Sequence, residues 1–559
     1  MIARRLPLLL LLCLAQPVVA GELDLQAPDN ITKLLAPYLP DEAGSPGKLQ
    51  GLLSEILATE GYFSPVFEFA EKGDGLKLTL DPGLRTTINS LDLLIDGPVE
   101  AGTRKALIDD WALPVGQPFR QEDWNTAKQQ ILSRLLAVEH ADAQLLDSEA
   151  SIDTEAHRAD LRAHYDAGPR YRFGPLHVEG LQNYSPELIE RYNRSVQPGQ
   201  PYREDKLNAL QTTLQSTPYF ASVQTMLDRD AVEVHDDGTA TAPILVRVRE
   251  RSPHRVSFGA GASSNTGARV EFNYHTPNLF AQAWELDSGL RLEQKRQTAY
   301  ADVFLPPDER NRRHSVGVMA EATDIQNLKT ERYAFGAQTI QQRGSVEQRL
   351  SLNWQNEKRD PDGASPVTSR ALVPNGTWTW RHVDSLIEPR NGTVLQGQIG
   401  GGSKAALSDQ NFVRVHARFQ HYIPLGRVDT LTLRGEIGYT LADSRQRIPQ
   451  DYLFRTGGAS SVRGYAYQSL GIKEGNATVG GRYLGIASAE VTHWLDEAWG
   501  IAAFVDAGDA VDSLQDIRLA IGYGLGARWR SPAGPIGVDL AYGERTRQVQ
   551  LHFSLAIPF

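Results

Sequence analysis

The chain has 559 residues, a formal net charge of −11 and an apolar content of 41%. Its length allows several domains, and its acidic balance argues against a general nucleic-acid binder, which needs a basic surface for phosphates. The single cysteine, Cys13, excludes a disulfide framework and a thiolate metal site.

Residues 1–20 have the charge, apolar core and small-residue order of a cleaved secretory signal. Arg4 and Arg5 precede the apolar run from Leu6 to Leu14, and the segment ends in small residues at Ala20. The run is shorter than the roughly 20 apolar residues that span a bilayer, so cleavage is favoured over a membrane anchor. Charged residues interrupt every later apolar segment, so a membrane-spanning form of the chain must be a closed barrel.

The first half of the chain contains a repeat. Residues 116–131 read GQPFRQEDWNTAKQQI and residues 199–214 read GQPYREDKLNALQTTL, and the two align without a gap. Each predicts a turn followed by a helix with one apolar stripe at i, i+3 and i+7. The predicted buried residues are Trp124, Ala127 and Ile131 in one helix and Leu207, Leu210 and Leu214 in the other.

Turn sequences recur at DPGLR (81–85), DAGPR (166–170) and SPHR (252–255). They mark about three units of roughly 80 residues, each with a β-α-α-β-β order, which is an α+β module rather than a short solenoid repeat. We predict a signal at 1–20, modules at 21–84, 85–169 and 170–252, and a second region at 253–559. Exposed sheet edges in such modules could accept a partner strand, and the alternative is a spacer arm.

From Arg255 onward, apolar and polar residues alternate, as in strands with one lipid face and one wet face. The segment from Ile517 to Trp529 is longer than a usual soluble strand, which disfavours the alternative of a soluble β-sandwich. Residues 253–559 therefore predict a transmembrane antiparallel β-barrel of about 16 strands. The final segment places Val549, Leu551, Phe553, Leu555, Ile557 and Phe559 on one side and Gln548, Gln550, His552 and Ser554 on the other.

From the sequence of the second region we predict that the protein is not an enzyme and binds no cofactor or metal. The glycines of GYGLG (522–526) alternate with apolar residues inside a strand, so they do not form a nucleotide loop. No P-loop, nucleophile elbow or metal-spaced histidine pair is found in the sequence. The scattered His382, His416 and His493 are interpreted as solvated strand residues.

Two motifs in this region resemble those of a known group of proteins. Val462, Arg463, Gly464 and Tyr465 form a VRGY sequence, and residues 504–508 read FVDAG, an FxDxG pattern with Phe504, Asp506 and Gly508. Together they resemble the signatures of the BamA/TamA superfamily, outer-membrane barrels that carry periplasmic POTRA domains. The repeats resemble POTRA domains, so the resemblance covers the chain after its signal and implies an outer-membrane location.

The resemblance also implies a role for the motifs. In that superfamily the VRGY loop folds back into the lumen, and its arginine contacts the aspartate of the other motif. Carried over, Arg463 would pair with Asp506, since a guanidinium in a polar lumen needs a fixed carboxylate. Gly464 would let the backbone turn close to the wall. The alternative is an ordinary luminal salt bridge without a special role.

Three repeats resemble the TamA family more than BamA, with five, or the two-partner-secretion transporters, with two and a plug helix. The implied function is assistance to the insertion or secretion of β-barrel and autotransporter proteins. A TamB-like partner, anchored in the inner membrane and spanning the periplasm, and outer-membrane lipid are the implied contacts. The alternative is a passive conduit or docking pore for lipid or solute.

The first and last strands are predicted to meet at a weak seam that opens sideways for a client strand. Gly259 and Gly261 bring no side chains to pack, and Pro558 lacks a backbone donor near the chain end. The predicted seam residues are Val256, Phe258, Gly259 and Gly261 in the first strand and Phe553, Leu555, Ile557 and Phe559 in the last.

Overall fold

The computed structural model describes residues 23–40, 45–72, 75–531 and 534–555. The predicted signal at 1–20 lies outside the described residues, as do Ile557, Pro558 and Phe559. Backbone contacts divide the chain into two compact units. Unit 1 contains the residues up to 179 together with 194–212 and 224–247, and unit 2 contains 180–193, 213–223 and the residues from 248 onward.

The first domain of unit 1 has the predicted β-α-α-β-β order. Its sheet runs β1-β3-β2, with β1 parallel and β2 antiparallel to the central β3. Leu53 and Leu57 of the second helix pack on this sheet. The elements are β1 (Leu23–Gln26), α1 (Asp29–Leu35), α2 (Pro46–Thr59), β2 (Val66–Lys72) and β3 (Gly75–Asp81).

The second domain repeats this arrangement, with sheet order β4-β6-β5. Its longer helix buries Trp124, Ala127, Ile131 and Leu135 against the sheet, so the predicted apolar stripe is the packed face. The elements are β4 (Thr87–Asp96), α3 (Ala101–Asp109), α4 (Gln121–Ala137), β5 (Gln144–Asp153) and β6 (Arg158–Asp166).

The third domain repeats the order again, and its residues are divided between the two units. Within unit 1 its first and last long strands pair in parallel, from Arg170 opposite Thr239 to Glu179 opposite Arg247. Leu207, Leu210 and Leu214 are buried, as their spacing predicts. The elements are β7 (Arg170–Glu179), α5 (Pro186–Tyr192), α6 (Glu204–Gln215), β8 (Phe220–Leu227), β9 (Glu233–Val234) and β10 (Thr239–Glu250).

The main part of unit 2 is one antiparallel sheet of 16 strands, which confirms the predicted barrel and its strand number. Each strand pairs with its neighbour in sequence, except that β21 pairs with β24 across a long loop, residues 442–482. That loop carries a small hairpin of β22 (Ile472–Glu474) and β23 (Ala477–Val479). The barrel strands are β11 (Arg255–Ser263), β12 (Gly267–Leu279), β13 (Trp284–Glu293), β14 (Arg296–Phe304), β15 (Arg312–Ile325), β16 (Leu328–Arg343), β17 (Val346–Pro361), β18 (Val367–Val383), β19 (Gly392–Gly402), β20 (Phe412–Leu425), β21 (Asp429–Leu441), β24 (Tyr483–Trp494), β25 (Trp499–Val511), β26 (Ala520–Ser531), β27 (Gly534–Gly543) and β28 (Gln548–Leu555).

The barrel strands alternate between an exposed apolar face and a polar interior, as a membrane barrel requires. The predicted strand from Ile517 to Trp529 begins later, at Ala520, because a 3₁₀ turn at Leu514–Asp516 precedes it. Helices long and apolar enough to cross a membrane are absent from the described residues. Exposed apolar residues include Val270, Val318, Phe335, Leu352, Val415, Ile437, Val505, Tyr523, Leu540 and Leu551, and buried polar ones include Gln355, Glu357, Arg359, Ser488, Asp506, Arg528 and Asp539.

Unit 2 also contains two short pieces of the third domain. The Tyr219 ring lies 5.2 Å from that of Tyr184, and its hydroxyl donates to the Ala283 carbonyl at 3.0 Å, in the turn after β12. Glu250 accepts backbone N–H groups from Gln182 at 2.7 Å and from neighbouring residues. Burial opposes ionisation of Glu250, but these hydrogen bonds outweigh it and lower the pKa of the carboxyl.

The buried stripe of α4 provides a test of the repeat packing. We expect Ile131→Ala to cost about 2 to 5 kcal/mol of domain stability, because it leaves a cavity against the sheet. The described α-helices all end by Gln215, so the circular dichroism signal at 222 nm during urea unfolding reports on these domains. Gln129→Ala, an exposed position of the same helix, is the control, and equal urea midpoints for the two variants would contradict the packing.

Candidate functional site

The loop at 442–482 joins the end of β21 to the start of β24. It packs against the inner faces of early as well as late barrel strands, since it contacts Glu357 on β17 and Asp506 on β25. Bridges between Phe454 and Gly481 and between Thr456 and Leu470 close its two arms. The four residues of the predicted VRGY motif lie in the turn of this loop, and the side chains of Val462, Arg463 and Tyr465 are buried. The loop therefore occupies the lumen, as the resemblance implied.

Arg463 is the centre of the buried contacts made by this loop. Only 2% of its surface is exposed, and Asp506 on β25 is 0% exposed. Its Nε donates to Asp506 Oδ2 at 2.7 Å and its Nη2 to Oδ1 at 2.9 Å, which is a bidentate pair. The backbone N–H of Arg463 also donates to Oδ2, at 3.0 Å. The structure thus brings together the two residues that the resemblance paired.

Three further charged residues complete a network that the sequence did not identify. Arg463 Nη1 lies 2.6 Å from Glu490 on β24 and 3.2 Å from Asp539 on β27. Arg528 on β26 contacts the same two carboxylates, at 2.8 Å and 2.5 Å. Each of these residues lies on the polar face of its strand. The alternation of polar and apolar residues is the one feature of the sequence that indicated their position in the lumen. Which polar residues converge depends on the register of four strands.

The other motif residues support the same contact. The ring centre of Phe504 lies 3.3 Å from the Arg463 guanidinium carbon, a cation–π arrangement. Gly508 leaves room for the loop, because a Cβ there would lie 2.9 Å from Val462 Cγ2 and 2.8 Å from the Gly485 carbonyl. The FxDxG pattern therefore supplies a ring, a carboxylate and a space on one strand.

Gly464 and Tyr465 fix the loop to β26, to the end of β27 and to the turn that follows it. Gly464 has a φ of +87°, and a Cβ there would lie 2.7 Å from the Gly543 nitrogen at the end of β27, so a side chain is excluded. The Tyr465 hydroxyl donates to the Ile521 carbonyl at 2.9 Å and accepts the Arg545 backbone N–H at 3.0 Å.

The first and last barrel strands form the two edges of the sheet. Over residues 255–263 and 548–555, no ladder pairing joins β11 to β28, whereas every other barrel strand pairs on both sides. The Phe553 backbone N–H instead donates to the hydroxyl of Ser264, at 3.2 Å. Unpaired strand edges can accept an added strand.

The outer side of this seam is apolar. Phe258 is 81% exposed, and its ring packs 5.2 Å from that of Phe272 on β12. Val256 and Phe553 are also exposed, and for Leu555 the structure describes only the backbone. The predicted seam residues that are described therefore lie on the two edge strands.

The two seam glycines face the lumen. A Cβ at Gly259 would lie 2.8 Å from Glu271 Cγ, and one at Gly261 would lie 3.4 Å from the Arg269 guanidinium. The glycines therefore leave space for charged side chains of β12, in addition to presenting no side chain of their own.

The closest approach to a metal-binding arrangement among the described residues is His275, Glu285 and Asp287, whose ligand atoms lie within 4.8 Å of one another. His275 Nδ1 already contacts Asp287 at 2.7 Å, and Arg313 pairs with Glu285. These charges are balanced by protein groups, so we assign the cluster to an ion-pair network.

One interpretation of the histidines is wrong. His416 is buried in the lumen and bonds Glu436 at 2.7 Å, so it is not a solvated residue. His493 is exposed, as interpreted, and pairs with Asp429 at 2.5 Å. The sequence could not separate the two, because both lie on strands and only the position of the loop decides which is covered.

The comparisons with known proteins agree with this geometry. Residues 252–559, more than half of the chain, match the family model described as "Omp85 superfamily domain". The outer membrane protein assembly factor BamA of Nitratidesulfovibrio vulgaris is 25% identical over 66% of this chain and 47% of its own. BamA of Neisseria meningitidis is 24% identical over 70% of this chain and 56% of its own. The chain thus spans about half the length of these curated relatives.

A solved structure shows the same fold. BamA from Haemophilus ducreyi lacking POTRA domains 1–3 superposes with a TM-score of 0.72 at 17% identity. The match covers 84% of this chain and 99% of that one.

The buried arginine gives a stability prediction. We expect Arg463→Ala to lower barrel stability by about 3 to 5 kcal/mol, because it leaves Asp506 buried without its bidentate partner. The measurement is the temperature at which the purified barrel loses its folded electrophoretic mobility. Arg291→Ala is the control, since its pair with Glu271, at 3.2 Å, is exposed and worth about 0 to 1 kcal/mol. Equal transition temperatures for the two variants would contradict the assignment.

Proposed function

The chain belongs to the Omp85 superfamily and lies in the outer membrane with its N-terminal domains in the periplasm, and from this premise we propose that it inserts or translocates other polypeptides. The single observation that carries the proposal is the join between β11 and β28, where ladder pairing is missing over the described residues. A client strand would add its backbone hydrogen bonds to one of these edges.

The cost of opening supports this use of the seam. Opening the barrel between any other two strands would break a full ladder, such as the one that pairs β20 with β21 from Val413 to Leu425. Among the described residues, the hydrogen bond that opening at the seam would break is the one between Phe553 and Ser264. The exposed Phe258 and Val256 beside the seam favour lipid and an apolar client face.

The finer assignment is to a TamA-like role. The three described α+β domains support it, because three such repeats resemble the TamA family more than BamA, which has five. In this proposal the clients are β-barrel and autotransporter proteins, and the partner is a TamB-like protein that is anchored in the inner membrane. The proposed activity includes no catalysed reaction and no cofactor.

The periplasmic domains would receive clients or the partner at their sheet edges. Among the described residues, β2 of the first domain pairs only with β3, and β5 of the second pairs only with β6. Leu146 on β5 and Val66 on β2 are exposed apolar residues on these edge strands. The alternative is that these domains act only as a spacer arm, in which case no partner strand would bind at either edge.

The competing function is a passive conduit for lipid or solute. The lumen loop opposes it, because Val462, Arg463 and Tyr465 are buried against the inner faces of the barrel strands. A cavity of about 550 Å³ remains beside this loop and includes Arg418, Arg434 and Glu436 in its lining. The contacts of the loop with Asp506 lie in the lumen that such a conduit would use.

A disulfide lock across the seam tests the proposal. We expect the S264C/F553C variant, joined by oxidation or a short thiol crosslinker, to lose most of its insertion of a client barrel into proteoliposomes. The loss should reverse on cleavage of the crosslink, because the lock prevents strand addition at β11 and β28. The only native cysteine is Cys13, so it can be removed without touching the barrel.

The control is a lock placed between paired strands. V415C/Y439C joins positions that lie opposite each other on β20 and β21, and both side chains are exposed. This lock should leave insertion unchanged. Undiminished insertion with the seam lock closed would refute lateral opening, and unchanged lipid flux or conductance in both locked forms would favour the conduit.

A further inference from the structure

A buried histidine lies in the middle of the last barrel strand. His552 is 3% exposed and stands on the lumen side of β28, opposite Asp539 on β27. The Gly464 backbone N–H donates to His552 Nε2 at 2.9 Å, and both groups are buried. Because the backbone nitrogen is the donor, Nε2 must be the unprotonated nitrogen of the ring.

This hydrogen bond attaches an edge strand to the lumen loop. Within the described residues, β28 has a ladder on one side only, to β27. The contact with Gly464 is therefore a second attachment, made from inside the barrel. The Tyr465 hydroxyl holds the turn before β28 by accepting the Arg545 N–H at 3.0 Å.

The opposite edge lacks an equivalent contact. Over the described part of the chain, the hydrogen bonds of β11 go to β12 and to its own turn, where Ser263 accepts from Asn265. Among the described residues, the lumen loop thus bonds β28 at the seam and does not bond β11. Arg463 precedes Gly464, and its backbone N–H and side chain both bond Asp506, so the contact with His552 is made from a fixed part of the loop.

We propose that His552 is a positioning residue through which the lumen loop holds the last strand at the seam. The role of this contact in client insertion rests on the proposed function, but the contact itself does not. Physically, it states that the edge strand β28 keeps its place because a buried acceptor on it bonds the VRGY loop. Release of Gly464 from His552 would then leave β28 held by its β27 ladder and by the Phe553–Ser264 hydrogen bond, without unfolding the rest of the barrel.

Hydrogen–deuterium exchange on the full chain in detergent tests this inference. His552→Leu removes the acceptor and leaves a buried N–H unsatisfied, so the β28 amides should exchange roughly tenfold faster or more. His552→Gln places an amide oxygen near the position of Nε2, so it should restore exchange close to that of the native chain. His552→Asn is too short to reach Gly464 and should behave like the leucine variant while remaining polar.

Two controls separate positioning from general stability. The amides of β17 should keep their native exchange in every His552 variant, because that strand bonds the loop through Gln450 and Glu474 and not through Gly464. His416→Leu removes another buried lumen histidine, one that bonds Glu436 between β20 and β21. It should leave β28 exchange unchanged.

Three outcomes would overturn the inference. They are unchanged β28 exchange in both the leucine and asparagine variants, an equal rise in β17 and β28, and failure of glutamine to rescue. If the leucine variant does not fold, as judged by electrophoretic mobility, the asparagine and glutamine pair decides the question. If the native chain does not insert client proteins, the proposed function is wrong, but the exchange result for β28 is unaffected.

Discussion

The buried pair of Arg463 and Asp506 is the interaction on which the lumen of this protein depends. A guanidinium removed from water must find carboxylates, and here it finds Asp506 in bidentate geometry with Glu490 and Asp539 beside it. These carboxylates belong to three strands, so one loop residue joins β24, β25 and β27 from the inside. The position of the loop in the lumen and the placement of Gly464 against the last strand follow from that contact.

A second constraint is the closure of the sheet. Fourteen of the barrel strands have partners on both sides, while β11 and β28 meet without a ladder over the residues described. A lipid environment penalises unpaired backbone groups, so this join is the least stable part of an otherwise well-paired wall. The same property that weakens the barrel there makes it the place where a foreign strand gains hydrogen bonds. Function and instability therefore share one location.

The loop and the seam belong to one mechanical system. Gly464 lies against the end of β27 and bonds His552 on β28, while Arg463 holds the loop to β25. A displacement of the loop would therefore reach the seam through one buried hydrogen bond. This connection distinguishes the two edge strands of the barrel. Their residues alternate in the same way, so the sequence pattern alone does not separate them.

Sequence by itself determined the three α+β repeats, the alternating strands, their number, and the pairing of Arg463 with Asp506 through family resemblance. These features depend on local periodicity or on motifs, which a single chain displays in its residue order. Only the tertiary structure decided that Glu490, Arg528 and Asp539 join the network, that His416 is covered, and that His552 accepts from Gly464. Alternation assigns a residue to a face of a strand, but strand register and the path of a long loop decide which residues on that face meet.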